Sequence, residues 1–156
     1  MSDNPEIISG QTQAPILEVS DLSVSFHLLE GVIPAVAGVD LVLNQGEVLG
    51  VVGESGCGKS VTARAVMRII PTPPGSIDSG RVLFEGRELL KLSEAEMEGI
   101  RGDKISMIFQ EPMTSLNPAF TVGNQIAEVF RFHRGMGRRE AFELSRIHIS
   151  EPTRRR

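Results

Sequence analysis

Residues 48–62 have the sequence VLGVVGESGCGKSVT, and this stretch decides the fold class of the 156-residue chain. It begins with an apolar run, residues 48–52, that is typical of a strand buried on both faces of a sheet. Residues 53–60 then fit the pattern G-x-x-x-x-G-K-[ST] at every fixed position. A helix is predicted over residues 59–70, and Pro71 terminates it. A strand, a glycine-rich loop and a helix in this order predict an α/β protein with a phosphate-binding loop.

Each part of this loop has a task in holding phosphate. Its backbone N–H groups converge on phosphate oxygens through conformations that glycine reaches at little cost. The following helix adds free N–H groups and the positive end of its dipole. Lys59 brings a positive charge to the β- and γ-phosphates, and the Ser60 hydroxyl is a ligand for Mg²⁺. The predicted phosphate-binding residues are Gly53, Glu54, Ser55, Gly56, Cys57, Gly58, Lys59, Ser60 and Val61.

Composition and charge narrow the class of protein. Hydrophobic residues make up 40% and charged residues 23%, as in an ordinary globular domain. The net charge of −4 argues against a general nucleic-acid binder, so we expect no nucleic acid among the partners. Cys57 is the single cysteine, which excludes an internal disulfide. It is either a reactive thiol beside a helix N-terminus or one of the variable positions of the loop.

No signal peptide and no membrane-spanning segment is expected from the sequence. The N-terminus has no basic start followed by an apolar run, and no stretch approaches the roughly 20 apolar residues of a membrane helix. Together with the single cysteine, this predicts a cytosolic protein that reaches a membrane only through a partner.

Hydrophobic periodicity and turn residues predict the remaining elements. Alternation predicts a strand from Ile16 to Phe26, and a capping box formed by Ser93 and Glu96 predicts a helix through Ile100. Further strands are predicted at 32–36, 39–43, 81–84 and 105–109, and further helices at 122–132 and from 138.

Two segments carry a resemblance to a known family. Residues 48–62 resemble the first half of an ABC transporter ATPase, and residues 105–118, ISMIFQEPMTSLNP, are similar to its dipeptide, oligopeptide and nickel uptake branch. The resemblance covers residues 17–143. It implies a P-loop NTPase with a RecA-like core and an antiparallel β-subdomain, truncated at the start of the helical subdomain. It also implies an ATP-binding component that couples ATP binding and hydrolysis to import of peptide or nickel, with ATP and Mg²⁺ as cofactors.

The resemblance also implies roles for single residues and for partners. Gln110 looks like the Q-loop glutamine, which contacts Mg²⁺ and the attacking water and moves with the transmembrane partner. Phe26 aligns with the aromatic residue that stacks on adenine, although it could equally be an inward-facing member of the alternation in its strand. The implied partners are a second ABC ATPase subunit, transmembrane permease subunits and, indirectly, a substrate-binding protein. The implied location is peripheral, on the cytoplasmic face of the inner membrane.

Several motifs of that family are missing from the 156 residues. There is no signature loop of Leu-Ser-Gly-Gly-Gln type and no Walker B strand with its catalytic Glu, and His148 cannot be the switch His because no Walker B precedes it. We therefore predict a disordered lead-in over 1–14, a partial ATP-binding domain over 15–144, and a non-native tail over 145–156. The sequence of this tail resembles the translation of a sequencing adapter. Its net charge is +3, whereas the first 144 residues have a net charge of −7.

Two other interpretations remain open at the level of sequence. The chain could be a small P-loop kinase or nucleotide-binding regulator, with Arg64 and Arg68 on the first helix and residues 131–139 as a lid. It could also be a fragment of low stability, because segments 48–52 and 105–109 would be left as unpaired sheet edges.

Overall fold

The computed structural model describes residues 14–110 and 116–150, with side chains up to residue 147. The chain divides into two compact units, Met1–Leu92 and Ser93–Arg156. The predicted lead-in lies outside the described residues except for Ala14. The strand predicted from Ile16 to Phe26 is present at Leu17–Leu28. The helix predicted from the capping box is present at Glu94–Ile100.

The first unit is built on a four-stranded antiparallel sheet. Its strand order is β2-β1-β3-β4, so that β1 lies between β2 and β3. The strands are β1 (Leu17–Leu28), β2 (Gly31–Leu43), β3 (Gly75–Phe84) and β4 (Arg87–Glu88). The two short strands predicted at 32–36 and 39–43 are one continuous strand, because β1 pairs with β2 along its whole length and absorbs the irregularities as register shifts. The sheet agrees with the predicted antiparallel β-subdomain.

One helix packs on this sheet and shares its core. It is α1 (Lys59–Val66), whose last residues, Ala65 and Val66, are buried. The sheet contributes fully buried side chains to the same unit, namely Val19, Leu22, Val24 and Val82. The helix is shorter than predicted: Met67 is its C-cap, and Arg68 turns into the left-handed region at φ 53° well before Pro71. A short 3₁₀ helix, Leu89–Lys91, follows β4.

Two predicted strands are absent from the structure. Neither 48–52 nor 105–109 has strand pairing, apart from a single parallel bridge between Arg101 and Ile105. Their side chains are open to solvent, with Val48 at 94%, Val52 at 92% and Ile108 at 94% exposure. A strand exists only when neighbouring strands satisfy its N–H and C=O groups. Within residues 14–110 and 116–150 no strand lies beside either segment, so the apolar pattern alone does not make them strands.

The second unit is helical. Its helices are α2 (Glu94–Ile100), α3 (Val122–Arg134) and α4 (Arg138–Ser150). The capping box is confirmed, since the Ser93 hydroxyl accepts from the Glu96 N–H while the Glu96 carboxylate accepts from the Ser93 N–H. Thr121 caps α3 at its start, and Gly135 ends it at φ 62°. Among the described residues, no helix is long and apolar enough to span a membrane.

Helix α4 continues through the predicted boundary at residue 144. Ser145 is fully buried, and its hydroxyl donates to the Phe142 carbonyl at 2.7 Å. Its oxygen also lies 3.6 Å from the point where a Cβ on Gly123 of α3 would stand. The helix is therefore packed up to this residue, and the assignment of 145–156 to a non-native tail stays a prediction.

Candidate nucleotide-binding site

The glycine-rich loop has the backbone geometry that its sequence predicts. Gly56 and Gly58 adopt φ values of 84° and 94°, in the region that residues with a side chain rarely enter. Gly58 is the N-cap of α1, so the loop leads directly into the first turn of the helix. Residues 53–57 are exposed. The free N–H groups at the start of α1 therefore adjoin an open loop, as an anion site requires.

The loop is seated on the sheet through Gly58. A Cβ at this position would stand 2.6 Å from the Ala35 carbonyl oxygen and 3.3 Å from Cγ2 of Val36, both on β2. Only a glycine lets the backbone approach this closely. The start of α1 is thus held against the strand, which fixes where its N–H groups lie in the first unit.

The Lys59 side chain forms hydrogen bonds with backbone carbonyls of the loop. Its ammonium donates to the carbonyl oxygens of Gly53 at 2.7 Å and Glu54 at 2.6 Å. The same nitrogen lies 3.3 Å from Sγ of Cys57. The loop is therefore wrapped around a positive charge, at the place where the sequence predicts the β- and γ-phosphates. These contacts were not foreseen from the motif, because a motif specifies residue types and not which carbonyls turn inward.

The other predicted loop residues lie along the same short segment. Glu54, Ser55 and Ser60 are exposed, and Val61 is partly buried in the first turn of α1. Cys57 is an exposed free thiol. Neither of the two interpretations of Cys57 is favoured by this placement, because an exposed loop cysteine fits both.

Phe26 lies on β1 in the first unit and is half-buried. It is opposite Ile33 of β2 and Gly75 of β3, and its Cε1 atom is 3.2 Å from the point where a Cβ on Gly75 would stand. Leu22 is fully buried, so Phe26 is the more accessible of the two. Its ring packs on the sheet and still presents a surface, and both interpretations of Phe26 stay predictions.

Gln110 belongs to the second unit and is exposed. It does not end a strand, since 105–109 is unpaired, and residues 111–115 lie outside the described part of the chain. Its role at Mg²⁺ stays a prediction. In the parts of the chain that the structure describes, no group of three or more His, Cys, Asp or Glu side chains could hold a metal ion.

Comparison with known proteins identifies the family. Residues 36–155 match the family model of the ABC transporter. The oligopeptide transport ATP-binding protein OppD of Bacillus subtilis is 52% identical over 126 residues, which are 81% of this chain and 35% of OppD. A probable peptide ABC transporter ATP-binding protein, y4tR of Sinorhizobium fredii, is 48% identical over 145 residues, 90% of this chain and 43% of that protein. The dipeptide transport ATP-binding protein DppD of Bacillus subtilis is 45% identical with the same coverage.

Solved structures agree on the fold. The ATP-binding cassette MJ0796, in a dimeric post-hydrolysis state bound to ADP and Pi, superposes with a TM-score of 0.69 at 24% identity, covering 83% of this chain and 53% of that one. A second dimeric structure of MJ0796, a bacterial ABC transporter cassette, gives a TM-score of 0.68. The predicted α/β fold of ABC type is thereby confirmed. The family match over residues 36–155 excludes the small-kinase interpretation.

The chain spans less than half the length of each curated relative described above, between 35% and 43%. The family match nevertheless covers most of its own residues, including the glycine-rich loop, the packed helix α1 and the segment that ends at Gln110. On this match the chain belongs to the ABC transporter family.

Proposed function

We propose that the loop of residues 53–60 binds the phosphates of Mg·ATP. The observation that carries this proposal is the geometry around Lys59, where the loop carbonyls enclose an ammonium group next to the first turn of α1. The close packing of Gly58 against β2 also supports this proposal, because it holds the first turn of α1 in place. Charge, free N–H groups and an open loop favour a polyphosphate over a small neutral ligand.

The remaining predicted residues complete this site in the proposal. Ser60, exposed in the first turn of α1, would offer its hydroxyl to Mg²⁺. The role proposed for Gln110, from the family resemblance, is a contact of its amide oxygen with Mg²⁺. Phe26 would stack on the adenine ring. Mg²⁺, when bound, would supply positive charge that offsets the charge of the phosphates. The residues of the loop bind and orient the phosphates.

Binding should depend on Mg²⁺ through Ser60. Fluorescence titration with the ATP analogue mant-ATP, in Mg²⁺ and in EDTA, gives the ratio of the dissociation constant in EDTA to the dissociation constant in Mg²⁺. We expect Ser60→Ala to lower this ratio about tenfold, because a charge-assisted contact to the metal is lost. Ser20→Ala on β1, a matched loss of one hydroxyl, should leave the ratio unchanged. An unchanged ratio in Ser60→Ala would refute the role of this residue.

We further propose that the protein to which this chain corresponds is the ATP-hydrolysing subunit of an importer for peptides or nickel. This is supported by the similarity to peptide-transport ATP-binding proteins. It would act with a second ATPase subunit and with transmembrane permease subunits, at the cytoplasmic face of the membrane. A substrate-binding protein would take part indirectly. The choice between dipeptide, oligopeptide and nickel lies with those partners.

The second unit offers a surface for such a membrane partner. A groove of about 780 Å³ lies between α3 and α4. Three arginines line it against one glutamate, and aromatic rings line its walls; these residues are Arg131, Arg138, Arg139, Glu128, Phe120 and Phe142. The excess of positive charge beside apolar rings fits a segment of the partner that carries acidic and apolar side chains.

Charge reversal in this groove should release the protein from membranes. In cells that also express permease subunits of a peptide importer, we expect Arg138→Glu with Arg139→Glu to move most of the protein from the membrane fraction to the soluble fraction. Lys91→Glu with Lys104→Glu makes the same change in net charge outside the groove and serves as the control. Equal release by both pairs would indicate a general effect of charge and would count against this surface.

A further inference from the structure

Arg68 stands at a backbone position that favours glycine. It follows Met67, the C-cap of α1, and its φ of 53° lies in the left-handed region. Its N–H donates to the Ala65 carbonyl at 3.0 Å, and the Ile69 N–H donates to the Arg64 carbonyl at 3.0 Å. Such helix ends usually carry glycine, because a Cβ there costs conformational energy. An arginine in this conformation therefore calls for a contact that offsets the strain.

That contact is made by the guanidinium group. Its Nη1 atom donates to the Leu92 carbonyl at 2.6 Å and to the Leu89 carbonyl at 3.3 Å. Leu89 is the first residue of the 3₁₀ helix Leu89–Lys91 and Leu92 is its C-cap, and the Leu89 side chain is fully buried. A cation at the carbonyl end of a helical turn is favourable for both hydrogen bonding and charge. Arg68 thus ties the far end of α1 to a fixed part of the first unit.

Helix α1 is consequently held at both of its ends. Gly58 seats its start on β2, and Arg68 fastens its end to the carbonyls of Leu89 and Leu92. The helix itself, Lys59–Val66, has eight residues and spans about 12 Å. The end of the helix is also buried through Ala65 and Val66, and the hydrogen bonds of Arg68 add a directional constraint there. With both ends fixed, the direction of its N-terminal N–H groups is set.

We propose that Arg68 is a positioning residue for the phosphate site. By anchoring the end of α1 it holds the N–H groups of the first turn, and the Lys59 ammonium beside them, in the orientation that phosphate oxygens require. The proposal rests on the proposed function of residues 53–60. Arg68 would act through α1 and would itself touch neither phosphate nor metal.

The decisive variant is Arg68→Gly, which removes the guanidinium and also relieves the strained backbone, so that folding is not put at risk. Arg64→Ala removes an exposed arginine from the same helix and is the matched control for charge. Arg68→Lys retains a cation without the planar fork. Mant-ATP titration in Mg²⁺, thermal unfolding, and hydrogen exchange at the hydrogen-bonded amides of residues 62–66 would be measured for all three.

We expect Arg68→Gly to bind mant-ATP roughly fivefold or more weakly while its thermal midpoint changes little. Arg68→Lys should recover part of the affinity, and Arg64→Ala should match the unchanged protein. The amides of residues 62–66 should exchange faster in Arg68→Gly than in Arg64→Ala without nucleotide. Equal affinity and exchange in these two variants would overturn the proposal. Absence of binding by the unchanged protein would instead refute the proposed function, and the exchange data would then decide on Arg68 alone.

Discussion

Replacing Lys59 with alanine should reduce Mg·ATP affinity at least 30-fold, and about 100-fold is the central expectation. The change removes one partner of a charge pair with the phosphates, a loss that costs about 2–5 kcal/mol in other charged contacts. It also removes the group that gathers the carbonyls of Gly53 and Glu54. The loop would then present inward-facing carbonyl oxygens to an anion, which repel it.

The measurement for Lys59→Ala is mant-ATP titration in Mg²⁺ with thermal unfolding in parallel. Lys91→Ala, an exposed lysine of the same unit, removes the same charge and should bind like the unchanged protein. Lys59→Arg keeps the charge, but a planar fork does not fit where Nζ lies within 2.7 Å of two carbonyls, so we expect it to be defective as well. Affinity within threefold of the unchanged protein in Lys59→Ala would contradict the site.

The same variant provides the baseline for hydrolysis. Turnover needs a residue that positions the attacking water, in addition to the phosphate loop and Mg²⁺. No Walker B glutamate is found in the 156 residues, so we expect this chain by itself to show no phosphate release above that of Lys59→Ala. Phosphate release that is clear and depends on Lys59 would show that the chain holds a water-positioning residue outside the known motifs.

The second large effect is expected for Gly58→Ala. Its Cβ would stand 2.6 Å from the Ala35 carbonyl oxygen, and the backbone φ of 94° is strained for any residue other than glycine. Because the obstacle is backbone and not a flexible side chain, either β2 or α1 has to move. We expect a loss of about 3 kcal/mol in the free energy of unfolding, and nucleotide binding should fall with it.

Gly46→Ala separates the two causes. Its φ of 75° imposes the strain, but no atom lies within 4 Å of the added Cβ. We expect it to cost only about 1 kcal/mol and to leave nucleotide affinity unchanged. Urea unfolding of both variants, followed by circular dichroism, measures the difference. Equal costs would mean that the close approach of Gly58 to β2 does not contribute to stability.

Local signals in the sequence predicted local structure well. The loop of residues 53–60 and the capping box of Ser93 and Glu96 each depend on contacts within a few residues, so the pattern contains what the structure needs. The end of α1 was missed because Arg68 gives no glycine signal at a left-handed position. The side chain that offsets this strain acts through carbonyls more than 20 residues away, which no local pattern shows.

Signals that depend on distant partners were less informative. The apolar segments 48–52 and 105–109 have the composition of buried strands, yet strand formation depends on neighbours that the pattern does not name. Conversely, 32–36 and 39–43 merged into β2 because β1 offers a continuous partner. At the site, the sequence predicted Lys59 and Ser60 as ligands of phosphate and Mg²⁺. The close approach of Gly58 to the Ala35 carbonyl is a contact between distant residues, which only the structure shows.

The two ends of the glycine-rich loop are held unequally. Its exit is fixed by α1, while its entry, residues 48–52, is unpaired and exposed within the described part of the chain. A phosphate group that orders the loop must therefore also restrict this entry, at an entropic cost. Any strand that pairs with 48–52 would remove that cost in advance and raise the affinity for nucleotide. By thermodynamic reciprocity, bound nucleotide would strengthen the pairing of residues 48–52 by the same factor. Nucleotide binding and this strand pairing would therefore be coupled.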